Sequence, residues 1–280
     1  MIVLSIGAHP DDETCAAGTL IKYAQEGHDV YILTTTRGEG GSTGVPPVCE
    51  RAELGRVREQ EGRDAGAVIG ARQVIYLPYA DPNATDGVTK AIDATLQEFA
   101  ASIQEVLEHL RPDVVITHGS DGEYGHPQHI FTQQATFQVL RNLAVVEQPW
   151  RPLEVLTWCA AYSDPEVPAE TNQSDPADLL VDIRPYFPRK LEAFMQHRSQ
   201  YAGVTSYFKD KGGAFMAEKI EAFRRWPEFC RPAARPTGES STNTPAAAES
   251  ADSPARAEPG RLSPDARAAD NLTAASALRR

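Results

Sequence analysis

Short apolar segments alternate with longer segments of helical character along most of the 280-residue chain. Segments of strand length lie at 2–6, 30–34, 74–77, 114–117, 155–160 and 179–183, and helical segments lie at 14–25, 50–70, 88–110, 127–146 and 185–200. Strands separated by helices favour parallel pairing, because the helix provides the return path between them. The pattern predicts an α/β, Rossmann-like three-layer fold, in which helices flank a mostly parallel sheet. A weaker helix candidate covers 214–225.

The last fifty residues differ in composition from the rest of the chain. Residues 231–280 contain no aromatic residue and no Val, Ile, Met or Cys, and seven Arg nearly balance six acidic residues. Such a segment buries too little apolar surface to offset its chain entropy. We therefore expect one folded domain at 1–230 and a disordered tail at 231–280.

The charge and the cysteines limit the partners and the compartment. A net charge of −12 argues against nucleic acid, which requires a basic face. No apolar run reaches the roughly 18 residues of a membrane-spanning helix, and the opening MIVLSIGAHPDDE is typical of a strand rather than a signal peptide. Four scattered cysteines without a CxxC motif favour reduced thiols in the cytoplasm. A homo-oligomer remains compatible with the sequence.

The first chemical cluster is AHPDDE at 8–13, directly after the first predicted strand. A dinucleotide site would need GxGxxG there, and this motif is absent. His9 and Asp12 are three residues apart and face one point if a helical turn begins near Pro10. Carboxylates this close together require a cation or a helix N-terminus to offset their repulsion. The cluster is therefore either part of a metal site or an acidic helix start.

The second cluster is YGHPQH at 124–129, beyond the fourth predicted strand. Pro127 suits a first helical position, so His126 and His129 lie three apart at a helix start. A helix start favours neutral imidazole, which suits metal ligation, although two surface histidines are the alternative. His118, at the strand end, either lines the pocket or is a buried strand-end histidine. Strand ends of one sheet can meet, which favours a joint site.

These residue types match hydrolytic metal chemistry. A carboxylate and two histidines with an open fourth position are typical of a catalytic zinc site. Zinc lowers the pKa of bound water to about 7 and polarises a carbonyl group. Asp11 is adjacent to Asp12 but points elsewhere, so it is the candidate general base. The remaining imidazole would protonate the leaving amine or stabilise the oxyanion.

The two motifs together resemble the LmbE-like (PIG-L) family of zinc-dependent N-acetylglucosamine deacetylases. That family includes deacetylases and conjugate amidases of mycothiol and bacillithiol metabolism. The resemblance covers roughly residues 1–200 and includes weaker matches at TRGEGG (36–41) and HRSQ (197–200). It places His197 near the rim of the site, whereas helical periodicity alone places it on a helix surface.

The resemblance implies a role for each matching residue. Zinc, or another divalent ion such as Fe²⁺, would be bound by His9, Asp12 and His129. Asp11 would be the general base. His126 would be an acid or oxyanion stabiliser, and Tyr124 would help to hold the tetrahedral intermediate. Arg58 and Asp81 would bind the sugar.

The chain departs from the family at Gln128, where the motif usually has Asp (HPDH). Glutamine keeps a hydrogen bond but loses the charge, which affects rate and pH optimum more than reaction type. The expected function is removal of the N-acetyl group from an N-acetylglucosamine-containing small molecule. The alternatives are an amidase of thiol–sugar conjugates and a non-catalytic sugar-binding protein that keeps the fold.

Overall fold

The computed structural model describes residues 1–82, 89–145, 150–165, 170–200 and 219–231. The strands in these ranges are β1 (Ile2–Gly7), β2 (Asp29–Thr36), β3 (Gln73–Tyr79), β4 (Val114–Thr117), β5 (Glu154–Trp158), β6 (Ala160–Ala161), β7 (Asn172–Pro176), β8 (Leu179–Asp182) and β9 (Ile220–Arg225). The helices are α1 (Ala17–Gln25), α2 (Leu54–Ile69), α3 (Leu96–Leu110), the single turn α4 (Gly122–Gly125), α5 (Pro127–Val145) and α6 (Phe187–Phe194).

Within the described ranges, seven strands form one sheet in the order β3-β2-β1-β4-β5-β9-β8, and β6 pairs separately with β7. The first five strands in this order are parallel to one another, whereas β9 runs antiparallel to both β5 and β8. The mostly parallel α/β sheet predicted from the sequence is therefore confirmed.

Alternate residues of the central strands enter two separate hydrophobic clusters. In β1, Leu4 and Ile6 pack in one cluster with Phe99 of α3, while Val3 packs in the other with Leu20 of α1. This period of two is the geometry of a strand that is buried on both faces. The helices cover both faces, which gives the predicted three layers.

Three predicted helix ranges are wrong, and the one predicted at 185–200 is interrupted after Phe194, where α6 ends. Residues 220–225 form strand β9, because their backbone completes a ladder in which Phe223 pairs with Trp158 of β5; residues 214–218 lie outside the described ranges. The helix predicted at 88–110 begins only at Leu96. Thr95 and Glu98 form a reciprocal capping box that sets this start.

The predicted disordered tail, 231–280, lies outside the described residues except for Arg231, so it stays a prediction. In the part of the chain that the structure covers, no helix combines the length and the hydropathy needed to cross a bilayer.

Candidate active site

The loops after β1, β2, β3 and β4 meet at the carboxyl edge of the sheet and surround a cavity of about 200 Å³. This edge is where ligands bind in open α/β folds. All eight site residues predicted from the sequence line this one cavity, although their individual roles stay predictions. The cavity-lining set is His9, Asp11, Asp12, Gly40, Gly41, Arg58, Asp81, Pro82, Thr89, Tyr124, His126, His129 and Gln200.

Asp12 is fixed by the backbone turn that follows β1. Its Oδ2 atom accepts hydrogen bonds from the Ala8 and His9 N–H groups, both at 2.7 Å. A Cβ atom at position 7 would lie 2.9 Å from the Asp12 Cβ, so Gly7 permits this close approach. The buried carboxylate therefore has a fixed position at the strand end.

Donor atoms of His9, Asp12 and His129 approach one another in pairs, and a different oxygen of the Asp12 carboxylate faces each histidine. His9 Nδ1 is 3.3 Å from His129 Nε2, His129 Nε2 is 3.3 Å from Asp12 Oδ1, and His9 Nδ1 is 3.6 Å from Asp12 Oδ2. Ligands about 2.0–2.1 Å from a zinc ion at tetrahedral corners lie about 3.3–3.4 Å apart. These residues therefore fit a metal ion.

The hydrogen bonds behind the two histidines favour the tautomers that a metal requires. His129 Nδ1 lies 2.6 Å from Glu123 Oε2, and a carboxylate oxygen only accepts, so Nδ1 carries the hydrogen and the Nε2 lone pair is available. His9 Nε2 lies 2.7 Å from Gln128 Oε1 in the same way, which leaves Nδ1 available. Both available nitrogens are the atoms that face Asp12.

Two further histidines lie close to the triad formed by His9, Asp12 and His129. His126 also has a nitrogen within 4.8 Å of ligand atoms of His9 and His129, and His118 does so with Asp12 and His129. His118 is already engaged, since its Nε2 lies 3.2 Å from Asp12 Oδ2 and its Nδ1 lies 3.0 Å from Glu123 Oε2. It is a fully buried strand-end histidine that supports Asp12.

Asp11 sits in the cavity beside the triad, on a strained backbone. Its φ of 111° is unusual for a residue other than glycine, and such strain is concentrated at functional sites. Burial is the main cause that raises the pKa of Asp11 to about 6; the Arg58 guanidinium opposes this shift and the Asp12 carboxylate adds to it. A carboxylate with this pKa can take up and release a proton near neutral pH.

Arg58 is almost fully buried and contacts Asp11 directly. Its Nη2 lies 3.3 Å from Asp11 Oδ1 and donates a hydrogen bond to the Pro10 carbonyl, while Nη1 donates to the Gly38 carbonyl. Arg58 therefore joins the loops after β1 and β2 and holds Asp11. Its predicted sugar-binding role, like that of Asp81, stays a prediction.

His126 and Tyr124 form the outer side of the cavity. Their ring centroids are 5.7 Å apart, and the Tyr124 side chain is exposed. Burial and the imidazoles of His129 and His9 lower the pKa of His126 to about 3, so its ring is neutral at pH 7 and carries one N–H. His126 is therefore suited to donate a hydrogen bond rather than a proton.

Glu123 is a buried residue of the site that sequence reasoning missed. Besides His129 and His118, its carboxylate accepts hydrogen bonds from Trp158 Nε1 at 3.0 Å and from the Gly119 N–H at 3.1 Å. Burial opposes its ionisation, but the two imidazoles outweigh burial and hold the pKa of Glu123 well below its usual range. The available signal was a carboxylate inside a glycine-flanked loop that leads to two histidines.

The HRSQ segment, residues 197–200, contacts the site mainly through hydrogen bonds behind Asp11. His197 is fully buried, so both expected positions for it, at the rim and on a helix surface, are wrong. Its Nε2 lies 2.6 Å from Glu13 Oε1, and the other oxygen of Glu13 accepts from the Asp11 N–H at 3.0 Å. Gln200 does reach the cavity wall.

The chain is similar to a known family and to proteins of known function. The PIG-L family, described as GlcNAc-PI de-N-acetylase, matches residues 4–140. A probable N-acetyl-alpha-D-glucosaminyl L-malate deacetylase 2 from Bacillus anthracis is 30% identical over 233 residues, which cover 82% of this chain and 95% of that protein. A 1D-myo-inositol 2-acetamido-2-deoxy-alpha-D-glucopyranoside deacetylase from Thermobifida fusca is 28% identical over 262 residues, covering 79% and 90%.

Among solved structures, the N,N'-diacetylchitobiose deacetylase from Pyrococcus horikoshii has the same fold. It superposes with a TM-score of 0.62 at 21% identity, over 81% of this chain and 84% of that one. The extent and identity of the match to the Bacillus anthracis protein define the family. The chain therefore belongs to the PIG-L family of de-N-acetylases.

Proposed function

We propose that the protein is a zinc-dependent hydrolase that removes the N-acetyl group from an N-acetylglucosamine-containing small molecule. The observation that carries this proposal is that His9 Nδ1, His129 Nε2 and the two oxygens of the Asp12 carboxylate come together at separations of 3.3–3.6 Å, with the Asp11 carboxylate in the same cavity. The names of the relatives support the substrate class, because they act on N-acetylglucosaminyl conjugates.

His9, Asp12 and His129 would hold the ion. Two imidazole nitrogens and one carboxylate oxygen are typical of catalytic zinc, and the same set also accepts Fe²⁺. When bound, such an ion supplies Lewis acidity, which lowers the pKa of a ligated water and polarises a carbonyl group.

The surrounding side chains would carry out the proton transfers. Asp11 takes a proton from the attacking water and returns it to the leaving amine, and its pKa of about 6 suits both directions. Arg58 keeps the Asp11 carboxylate in place. The neutral ring of His126 and the Tyr124 hydroxyl donate hydrogen bonds to the acetyl oxygen as it gains negative charge. The products are acetate and a free amino sugar.

We also place the protein in the cytoplasm. None of its four cysteines, all of which lie within the described ranges, forms a disulfide. Reduced thiols are the usual state in that compartment.

The proposal is tested by acetate release from purified, zinc-loaded full-length chain. The panel contains N-acetylglucosaminyl malate, N-acetylglucosaminyl inositol and N,N'-diacetylchitobiose, and Asp11→Asn is the control for activity of a contaminant. Zinc-dependent acetate release that Asp11→Asn abolishes supports the proposal. Sugar binding without acetate release from any panel member contradicts it and favours a binding protein. Faster cleavage of thiol–sugar conjugates than of the panel would identify an amidase.

A further inference from the structure

We infer that Gln128 and Asp81 form a matched pair that orients His9, so that Gln128 is a positioning residue rather than a weakened form of the family's usual Asp. The inference rests on the proposed function, since it takes His9 as a metal ligand. It is carried by hydrogen bonds between groups that are removed from solvent: Gln128 is 0% exposed, and His9 and Asp81 are each 7% exposed.

The orientation of the Gln128 amide is determined by its neighbours. The Nε2 atom lies 2.9 Å from Asp81 Oδ1 and 2.8 Å from the Lys90 carbonyl oxygen. Both of these atoms only accept hydrogen bonds, so the group that faces them must be the NH₂. A reversed amide would place an oxygen against two acceptors and leave buried groups unpaired.

This orientation in turn determines the tautomer of His9. With both hydrogens of the Gln128 amide committed, its Oε1 is the atom that lies 2.7 Å from His9 Nε2. An amide oxygen only accepts, so His9 Nε2 carries the hydrogen. The Nδ1 lone pair of His9 is then directed to the position shared with Asp12 and His129.

Asp81 forms no direct hydrogen bond with His9 and is linked to it through the amide. Its Oδ2 atom is 4.0 Å from His9 Nε2, beyond hydrogen-bond distance, and is held by the Gly40 N–H at 3.1 Å. The Asp81 N–H is bonded to Glu39 Oε2 at 2.9 Å, which fixes the loop itself. Gln128 therefore spans the gap between a fixed carboxylate and the imidazole.

The matched pair makes a specific prediction for the isosteric change Gln128→Glu. The introduced carboxylate would face the Asp81 carboxylate and the Lys90 carbonyl, without a hydrogen to donate to either. Repulsion from Asp81 would move the carboxylate at position 128 away from His9 Nε2, and loss of a partner that orients a metal-bound histidine typically weakens metal binding by about 10- to 100-fold. We expect a zinc Kd raised by that factor.

Adding Asp81→Asn should restore much of this loss. The introduced amide can donate from nitrogen to the carboxylate at 128 while its oxygen still accepts from the Gly40 N–H. One regained buried hydrogen bond corresponds to about fivefold to tenfold in affinity. The double variant should therefore bind zinc more tightly than Gln128→Glu alone, although it carries one more substitution.

The test measures zinc Kd by chelator competition on the full-length chain, for the wild type, both single variants and the double variant. Thermal unfolding of the zinc-free proteins reports folding separately. Gln60→Glu is a matched control, because Gln60 Nε2 donates to Asp64 Oδ1 at 2.8 Å in a similar amide–carboxylate pair on the exposed face of α2. We expect no change in Kd for this control.

A Gln128→Glu variant with zinc affinity within twofold of the wild type overturns the inference, as does a double variant that binds no more tightly than Gln128→Glu. A wild type that binds no zinc contradicts the proposed function instead. If Gln128→Glu fails to fold, long-range ¹H–¹⁵N NMR of the zinc-loaded wild type decides the question. Hydrogen on His9 Nε2 and zinc on Nδ1 support the inference, and the reverse assignment overturns it.

Discussion

Replacing Glu123 by Gln should damage the site through hydrogen bonds that an amide cannot reproduce. The Oε2 atom accepts from His129 Nδ1 and His118 Nδ1, and Oε1 accepts from Trp158 Nε1, Asn172 Nδ2 and a backbone N–H. All five partners are donors, whereas the NH₂ group of glutamine is also a donor. Either orientation of the amide therefore creates a conflict.

The two orientations have different consequences. With NH₂ toward Trp158 and Asn172, buried donors lose their acceptor, and removing one partner of a buried charged network costs about 3–5 kcal/mol. With NH₂ toward the histidines, His129 must move its hydrogen from Nδ1 to Nε2. The lone pair that faces Asp12 is then lost, and we expect zinc binding to weaken by about 10- to 100-fold or more.

The assay measures both consequences of Glu123→Gln. Thermal unfolding is followed in zinc-free protein, since bound metal adds to apparent stability, and zinc Kd is measured by competition. A loss of about 3 kcal/mol lowers the Tm of a domain of this size by roughly 6–12 °C. Glu105→Gln on the exposed side of α3 is the control. A Tm and a zinc Kd that both match this control would refute the reasoning.

The other predictions concern the base, a ligand, a helix start and the tail. Asp11→Asn should keep zinc and lose about 10²- to 10⁴-fold in acetate release, because only the proton transfer is removed; loss of zinc instead would show that its role is exchanged with that of Asp12. His129→Ala should deplete zinc measured by elemental analysis, and full occupancy would contradict its assignment as a ligand. Thr95→Ala removes the capping box of α3 and should lower stability by about 1 kcal/mol in chemical denaturation, and an unchanged midpoint would contradict this. Truncation after Cys230 should leave acetate release unchanged, and a large fall would show that the tail takes part.

The parts of the site that could be predicted from the sequence are those set by local spacing. His9 and Asp12 lie three residues apart after a strand, as do His126 and His129 at a helix start, and such spacing brings side chains to one side. The parallel order of β1 and β4 then places the two clusters at the same sheet edge. Short-range periodicity was sufficient for this inference.

The wrong helix predictions arose because local spacing alone was used to assign them. The 220–225 segment carries apolar residues at spacings that suit a helix or a strand, and only pairing with β5 and β8 decides between them. The start of α3 was wrong because Ile92 lies on the helical repeat, although it is buried before the helix begins. In both places long-range or capping contacts overrode the local pattern.

Glu123 and Gln128, which orient the histidines of the site, have hydrogen-bond partners far away in sequence. This explains why local spacing did not identify these two residues. Glu123 accepts from Trp158, 35 residues later, and Gln128 donates to Asp81, 47 residues earlier. Glu123 also has a φ of 62°, a conformation that residues other than glycine rarely adopt and that no sequence motif encodes. Such strain costs about 1–3 kcal/mol and persists only where surrounding contacts offset it. The hydrogen bonds to Glu123 provide that offset, so the same contacts that keep the strained loop in place also set the tautomer of His129.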